Sequence, residues 1–226
     1  MTPITEIGEM LISDQNNDYF FRASFASMSR IGSPADIVTT YTTLNGYEVA
    51  QVVSAAQDAY GRIPEWLIRT LRKPVYGRKI LSAAMSVMQA CCDDDITPLV
   101  GEWRPGKRGI VYRSGGMSVG EIIIIAHTLI EHGVMGKAKV RKPQRSETNS
   151  YANEFRAVEY INAARIHFGI SRVDAERLTM TEFQLLINAK YPEQKGFTRE
   201  EYDAVRDDYF KRREARIAAE KAKKAA

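Results

Sequence analysis

The longest apolar stretch of the chain, Ile122–Ala126, is followed by His127 and Thr128 and resumes at Leu129 and Ile130. Four β-branched residues in a row suit a buried strand as well as a helix buried on all sides. Two flanking signals decide for a helix over 119–132: Ser118 and Glu121 form a Ser-x-x-Glu box ahead of it, and Gly133 comes after it. It is expected to be the central helix of its domain. The same start signal recurs as Ser33 with Asp36, Ser171 with Asp174, Thr179 with Glu182, and Thr198 with Glu201. In each, the hydroxyl accepts from a backbone N–H one turn on and the carboxylate reaches back. Pro34 occupies the first position after Ser33, where a missing N–H does no harm, and Asn45-Gly46 and Gly169 provide stops.

Between these signals the pattern predicts helices at 34–44, 47–59, 64–72, 75–91, 119–132, 151–168, 172–177, 180–190 and 199–222, with short elements around Thr5–Ile12 and Tyr19–Arg22. Gly109–Arg113, set between Gly-rich turns, is the strand candidate. The fold class is therefore mostly α: a multi-helix N-terminal domain over 1–136 with at most a small strand element, a basic linker over 137–150, and a helical C-terminal region over 151–226. The linker reading rests on Lys137–Ser150, which holds five Lys or Arg, Pro143 and almost nothing apolar. No aromatic residue is interleaved there to stack on bases. In the last helix Tyr202, Val205 and Tyr209 are spaced by three and four with Phe210 alongside, and beyond Ile217 the apolar stripe ends. The remainder of the chain is an exposed, helix-forming basic tail.

Composition changes this picture in two places. At 226 residues and 44% hydrophobic the chain can bury a real core in one or two domains. Its formal charge of +4 belongs to the tail: residues 211–226 hold seven Lys or Arg against two Glu, leaving about −1 for the first 210. A basic surface spread over a folded domain, the footprint of a DNA binder, is not indicated. Cys91 and Cys92 are adjacent and offer no disulfide framework. The opening MTPITEIGEM lacks a secretion signal, and no apolar run approaches the ~20 residues of a membrane span. A cytoplasmic location and no membrane partner are expected.

Candidate chemistry is sparse. Adjacent thiolates diverge, and His127 and His132, five apart, face different ways around a helix, so no metal set converges. Asp93, Asp94 and Asp95 disfavour a reactive thiolate at Cys91 or Cys92. Ser114–Glu121 has glycines leading into a helix, as in a phosphate cradle, but Glu121 stands where the lysine belongs, and Gly136-Lys137 lacks the partner residues. Residues 169–190 scan as a helix-turn-helix whose second helix offers Glu182, Gln184 and Asn188 outward with Lys190 as its one cation, which argues against nucleic acid as a partner. No catalytic, cofactor-binding or metal residue is assigned, and no cofactor is expected.

Three stretches carry a resemblance: residues 4–38 (ITEIGEML, YFFRASFASMSRIG, SPADIV), residues 115–136 (GGMSVGEIIIIAHTLIEHGVMG) and residues 167–192 (HFGISRVDAERLTMTEFQLLINAKYP). Together they resemble tail assembly chaperone-type proteins of long-tailed bacteriophages. The late stretch weighs most, with Leu178-Thr179-Met180-Thr181-Glu182-Phe183 opening a helix ahead of a basic tail. The resemblance implies a non-enzymatic morphogenesis protein of the host-cell cytoplasm. Such a protein holds the helical tape measure protein soluble, engages tail tube subunits, and is absent from the finished virion. A head–tail or tail component retained in the virion and a DNA-associated regulator are the alternatives. Client contact is expected at the start of the last helix, through Tyr202, Tyr209 and Phe210 with Arg212, Arg213 and Arg216, because interfaces enrich aromatics and Arg.

Overall fold

The computed structural model describes residues 2–15, 17–107, 109–138, 154–192, 206–209 and 212–213. Within them the fold is mostly α-helical, with two small antiparallel hairpins. β1 (Glu9–Ser13) pairs with β2 (Asp18–Arg22), Glu9 opposite Arg22 and Ser13 opposite Asp18. Alternation along β2 turns Tyr19 and Phe21 into the core. α1 (Phe25–Ile31) comes directly after it, with Ser24 accepting from the Ser27 N–H. The sequence pattern misses α1 because its cap is Ser24-x-x-Ser27, with no carboxylate to complete a box.

α2 (Pro34–Leu44), α3 (Tyr47–Tyr60), α4 (Glu65–Leu71) and α5 (Pro74–Cys91) fall within one or two residues of their expected spans. After a short α6 (Thr97–Val100), β3 (Glu102–Gly106) pairs with the expected strand, β4 (Gly109–Arg113). Arg104-Pro105-Gly106 reads as a turn in sequence, which hides β3. The boxes at Ser33 and Ser118 close in both directions, as does that at Thr179, where backbone and side-chain bonds to Glu182 are 3.0 and 3.1 Å. Thr198 and Glu201 lie outside the described residues.

α7 (Val119–Ile130) packs along α5 and forms the centre of the core, burying Ile122, Ala126, Leu129 and Ile130. It is not buried on all sides, because Ile124 is 67% exposed. Nor does Gly133 stop it. The chain runs on through one π-helical turn, Glu131–Met135, and ends at Gly136 with φ 75°. Gly133 serves packing instead: a Cβ there would lie 2.5 Å from the Met28 sulfur.

α8 (Ala157–Phe168), α9 (Arg172–Arg177) and α10 (Met180–Lys190) close the fold against α1 and the π-helical turn. Arg22 fastens this side: it pairs with Glu9 across the hairpin, with Glu182 at 2.9 Å, and donates to the Arg177 carbonyl at 2.9 Å. The expected domain division at 137–150 therefore needs correcting. Residues 1–190 form one compact unit and residues 191–226 a second, because the apolar faces of α8 and α10 complete the core that α1 begins. Residues 139–150 of the expected linker lie outside the described residues, and in the second unit 206–209 and 212–213 are helical.

Candidate functional site

The groups with chemical potential are mostly committed to the fold. Cys91 and Cys92 are buried. Burial pushes both thiols up, away from the thiolate, and the charges of Asp94 and Asp93 add to this at Cys92. A depression of about 440 Å³ beside Cys92 is lined by Arg30, Ser86, Gln89 and Asp93, and Arg30 is tied to Asp93 at 2.7 Å. Around the Ser114–Glu121 glycines, the Gly116 and Met117 N–H groups donate to the Pro98 and Leu99 carbonyls, both at 2.9 Å. Amides that a phosphate cradle would present to an anion are thus spent on α6. Among the described residues no three His, Cys, Asp or Glu side chains converge on a point. In α10, Glu182 and Gln184 do not face outward as expected: Glu182 holds Arg22, and Gln184 donates to the Met135 carbonyl at 2.7 Å.

The histidines diverge. His127 Nε2 lies 3.1 Å from Asn45 Oδ1, while His132, 5% exposed, places Nδ1 2.8 Å from Thr181 Oγ1. Burial lowers the His132 pKa, the positive Lys137 nearby adds to this, and Glu131 opposes it. The unfolded chain then takes up a proton near pH 6.5 that the folded chain resists. Stability contributed by neutral His132 is complete above that pH and is lost as the pH falls below it. Urea unfolding of the parent should weaken more from pH 7 to pH 5 than that of His132→Asn, and equal slopes would remove His132 from the account.

One region leaves its apolar side chains uncovered: α3, α4 and the start of α5. α3, bounded by Gly46 and Gly61, buries Ala56 alone among its residues, and α4 buries Leu67 alone. Tyr60 is 64% exposed, Trp66 59% and Val75 70%, with Tyr47, Val52, Ile63, Ile68 and Tyr76 exposed as well. Single exposed apolar residues need no explanation, but a contiguous run of them does. The base of this arm is anchored. Lys79 pairs with Glu48 at 2.8 Å, and Tyr41 and Tyr47 set their rings 6.3 Å apart. Burial and the neighbouring Tyr47 push the Tyr41 phenol up to about 12, so it stays neutral.

The arm is also basic. Between 62 and 79 stand Arg62, Arg69, Arg72, Lys73, Arg78 and Lys79 against Glu65. Arg69 pairs with Glu65 and Lys79 with Glu48. Arg62, Arg72, Lys73 and Arg78 form no ion pair among the described residues. Exposed aromatics beside unpaired arginines are the composition of a protein interface. Of the residues expected at the client surface, Tyr202, Phe210 and Arg216 lie outside the described residues. Tyr209 is 63% exposed, Arg212 pairs with Asp208 at 2.7 Å, and Arg213 is helical.

The fold thus defines a mostly α-helical protein that carries an uncovered apolar and basic arm. A family model described as a family of unknown function, DUF6246, matches residues 21–204, and the chain belongs to that family. No curated protein and no solved structure matches it.

Proposed function

We propose that the protein acts by binding rather than by catalysis: a phage tail morphogenesis protein that holds the tape measure protein, tail tube subunits or both during tail assembly in the host-cell cytoplasm. The observation that carries the proposal is the arm from Tyr47 to Tyr76, which exposes apolar surface that a protein working alone would bury. The resemblance of residues 4–38, 115–136 and 167–192 to tail assembly chaperones supports it. So does the engagement of Cys91, Cys92, His132 and the Gly116 and Met117 amides in burial or structural bonds.

Co-expression with the tape measure protein tests the reading. The tape measure protein should stay soluble with this partner and precipitate without it, and mass spectrometry of purified particles should find the chain absent. Its presence at stoichiometric level would replace the chaperone with a component retained in the virion.

A further inference from the structure

We infer that the arm formed by α3, α4 and the first turn of α5 is a docking surface for an amphipathic α-helix whose flanks carry Asp and Glu. The inference rests on the reading of the chain as a binder of another polypeptide, and adds where it binds and by what chemistry.

The shape of the occupant is set by α3. Val49, Val52, Val53, Ala56 and Tyr60 recur by three and four and form one stripe along the helix, of which Ala56 is buried, Val49 and Val53 are half-buried, and Val52 and Tyr60 are exposed. Beside its covered part, Val52, Ala55 and Ala59, also spaced by three and four, are exposed, with Glu48 and Gln57 as polar neighbours. This exposed ridge of small apolar groups, ending near Tyr60, lets a second helix approach to about 8–10 Å. The charge of the occupant is set by the other half of the arm. The unpaired Arg62, Arg72, Lys73 and Arg78 border the exposed Ile63, Trp66 and Val75. Like charges brought against them repel, and Asp or Glu on the flanks of an incoming helix pairs with them.

The same surface argues against other partners. Tyr60, Trp66 and Tyr76 offer faces on which bases can stack, but half of the exposed large apolar groups here, Val52, Ile63, Ile68 and Val75, are aliphatic and give a nucleic acid neither stacking nor a hydrogen bond. A helix built to lie on an anionic membrane sets Lys and Arg beside its apolar stripe; the arm does so around α4 but not along α3, which contains no Lys or Arg and carries Glu48 and Asp58.

The chain has two tryptophans, so in Trp103→Phe the exposed Trp66 becomes the single fluorescent reporter. This protein is titrated with a designed amphipathic peptide bearing a leucine stripe and Glu flanks, and with its Lys-flanked twin. The expected result is a saturable blue shift with the Glu peptide and at least about tenfold weaker binding of the Lys twin. By anisotropy of the labelled Glu peptide, Trp66→Ala in the otherwise native chain should weaken binding about tenfold or more. Its circular dichroism and unfolding midpoint should match the parent, because Trp66 is 59% exposed. Arg62→Glu with Arg72→Glu should invert the preference between the peptides. Equal binding of the two peptides, binding of neither, or preferential binding of oligothymidylate or phosphatidylserine vesicles would overturn the inference. A Trp66→Ala, Arg62→Glu, Arg72→Glu chain that still keeps the tape measure protein soluble would also overturn it, while leaving the tail-assembly reading standing. Peptide binding by the parent without tape measure solubilisation would uphold the arm and sink that reading.

Discussion

Phe25→Ala should lower the stability of the protein by about 3–5 kcal/mol, visible as a fall in Tm on the order of 10 °C. The side chain is fully buried and joins three helices through its ring. It stacks on Tyr160 of α8, centroids 5.7 Å and planes 15° apart, and meets Phe183 of α10 edge-on at 6.1 Å. Tyr160 stacks in turn on Phe155 at 5.3 Å and meets Phe183 at 5.8 Å, so truncating Phe25 opens a cavity inside a cluster of mutually oriented rings. Such pairs contribute about 0.5–1.5 kcal/mol beyond the area they bury. Collapse into the cavity is resisted because the Phe25 N–H donates to the Leu178 carbonyl at 2.9 Å and Ser24 bridges to Thr179. Phe25→Leu keeps most of the volume and should cost about 1.5 kcal/mol or less. Because α8, α9 and α10 belong to the unit that holds α1, the loss should appear in a single unfolding transition. A separate later transition unaffected by the substitution, or a loss under about 1 kcal/mol, would contradict this packing.

This cluster shows what sequence reading can and cannot supply. Local chemistry is legible: Ser33, Ser118, Ser171 and Thr179 each accept from the backbone N–H of the acid three residues on, and they locate the helix starts. These signals are contacts between near neighbours, so they leave a mark in the spacing. The domain boundary is not legible, because it depends on which apolar faces meet across more than a hundred residues. Phe25 and Tyr160 carry no mark of their pairing. A charged, Pro-containing segment such as 137–150 looks like a divider even when the elements on either side share one core.

The arm is hidden for a different reason. Taking the tail from the total leaves about −1 for the first 210 residues, and that sum conceals a run of six cations against one acid between 62 and 79. Charge acts over about 8–10 Å in physiological salt, so the informative window is a helix or two rather than a domain. The stripe from Val49 to Tyr60 is present in the spacing. Periodicity alone does not tell whether its apolar face turns inward or is left uncovered, since both give the same pattern. The structure separates the two: Ala56 turns inward while Val52 and Tyr60 are left exposed.

Gly101→Ala should be the most damaging Gly→Ala change among the described residues, destabilising the protein by about 4 kcal/mol or more. Gly101 closes α6 with φ 79° and ψ −166°, a region of backbone space open in practice to glycine alone. That strain, about 1–3 kcal/mol, is the smaller part. A Cβ at Gly101 would stand 2.1 Å from the Arg113 carbonyl oxygen and 2.7 Å from the Gly115 nitrogen, and one at Gly115 would stand 2.4 Å from the Leu99 oxygen. The obstacles are backbone atoms, so no rotamer change relieves the overlap. The two strands of chain must separate, breaking the bonds from Gly116 and Met117 to the Pro98 and Leu99 carbonyls. The 2.6 Å bond from the Tyr112 hydroxyl to the Val100 carbonyl is lost with them. Separation there also displaces Ser118, the cap of α7, against which α5 packs. Gly116→Ala, one residue past Gly115 on the facing chain, is the control: its Cβ would meet the Pro98 oxygen at an ordinary 3.7 Å, so the change should alter stability by less than about 1 kcal/mol. Chemical denaturation of the two variants should therefore place Gly116→Ala beside the parent and Gly101→Ala far below it. Similar midpoints for the two would mean that the glycines at this crossing do not hold the chain together by close approach.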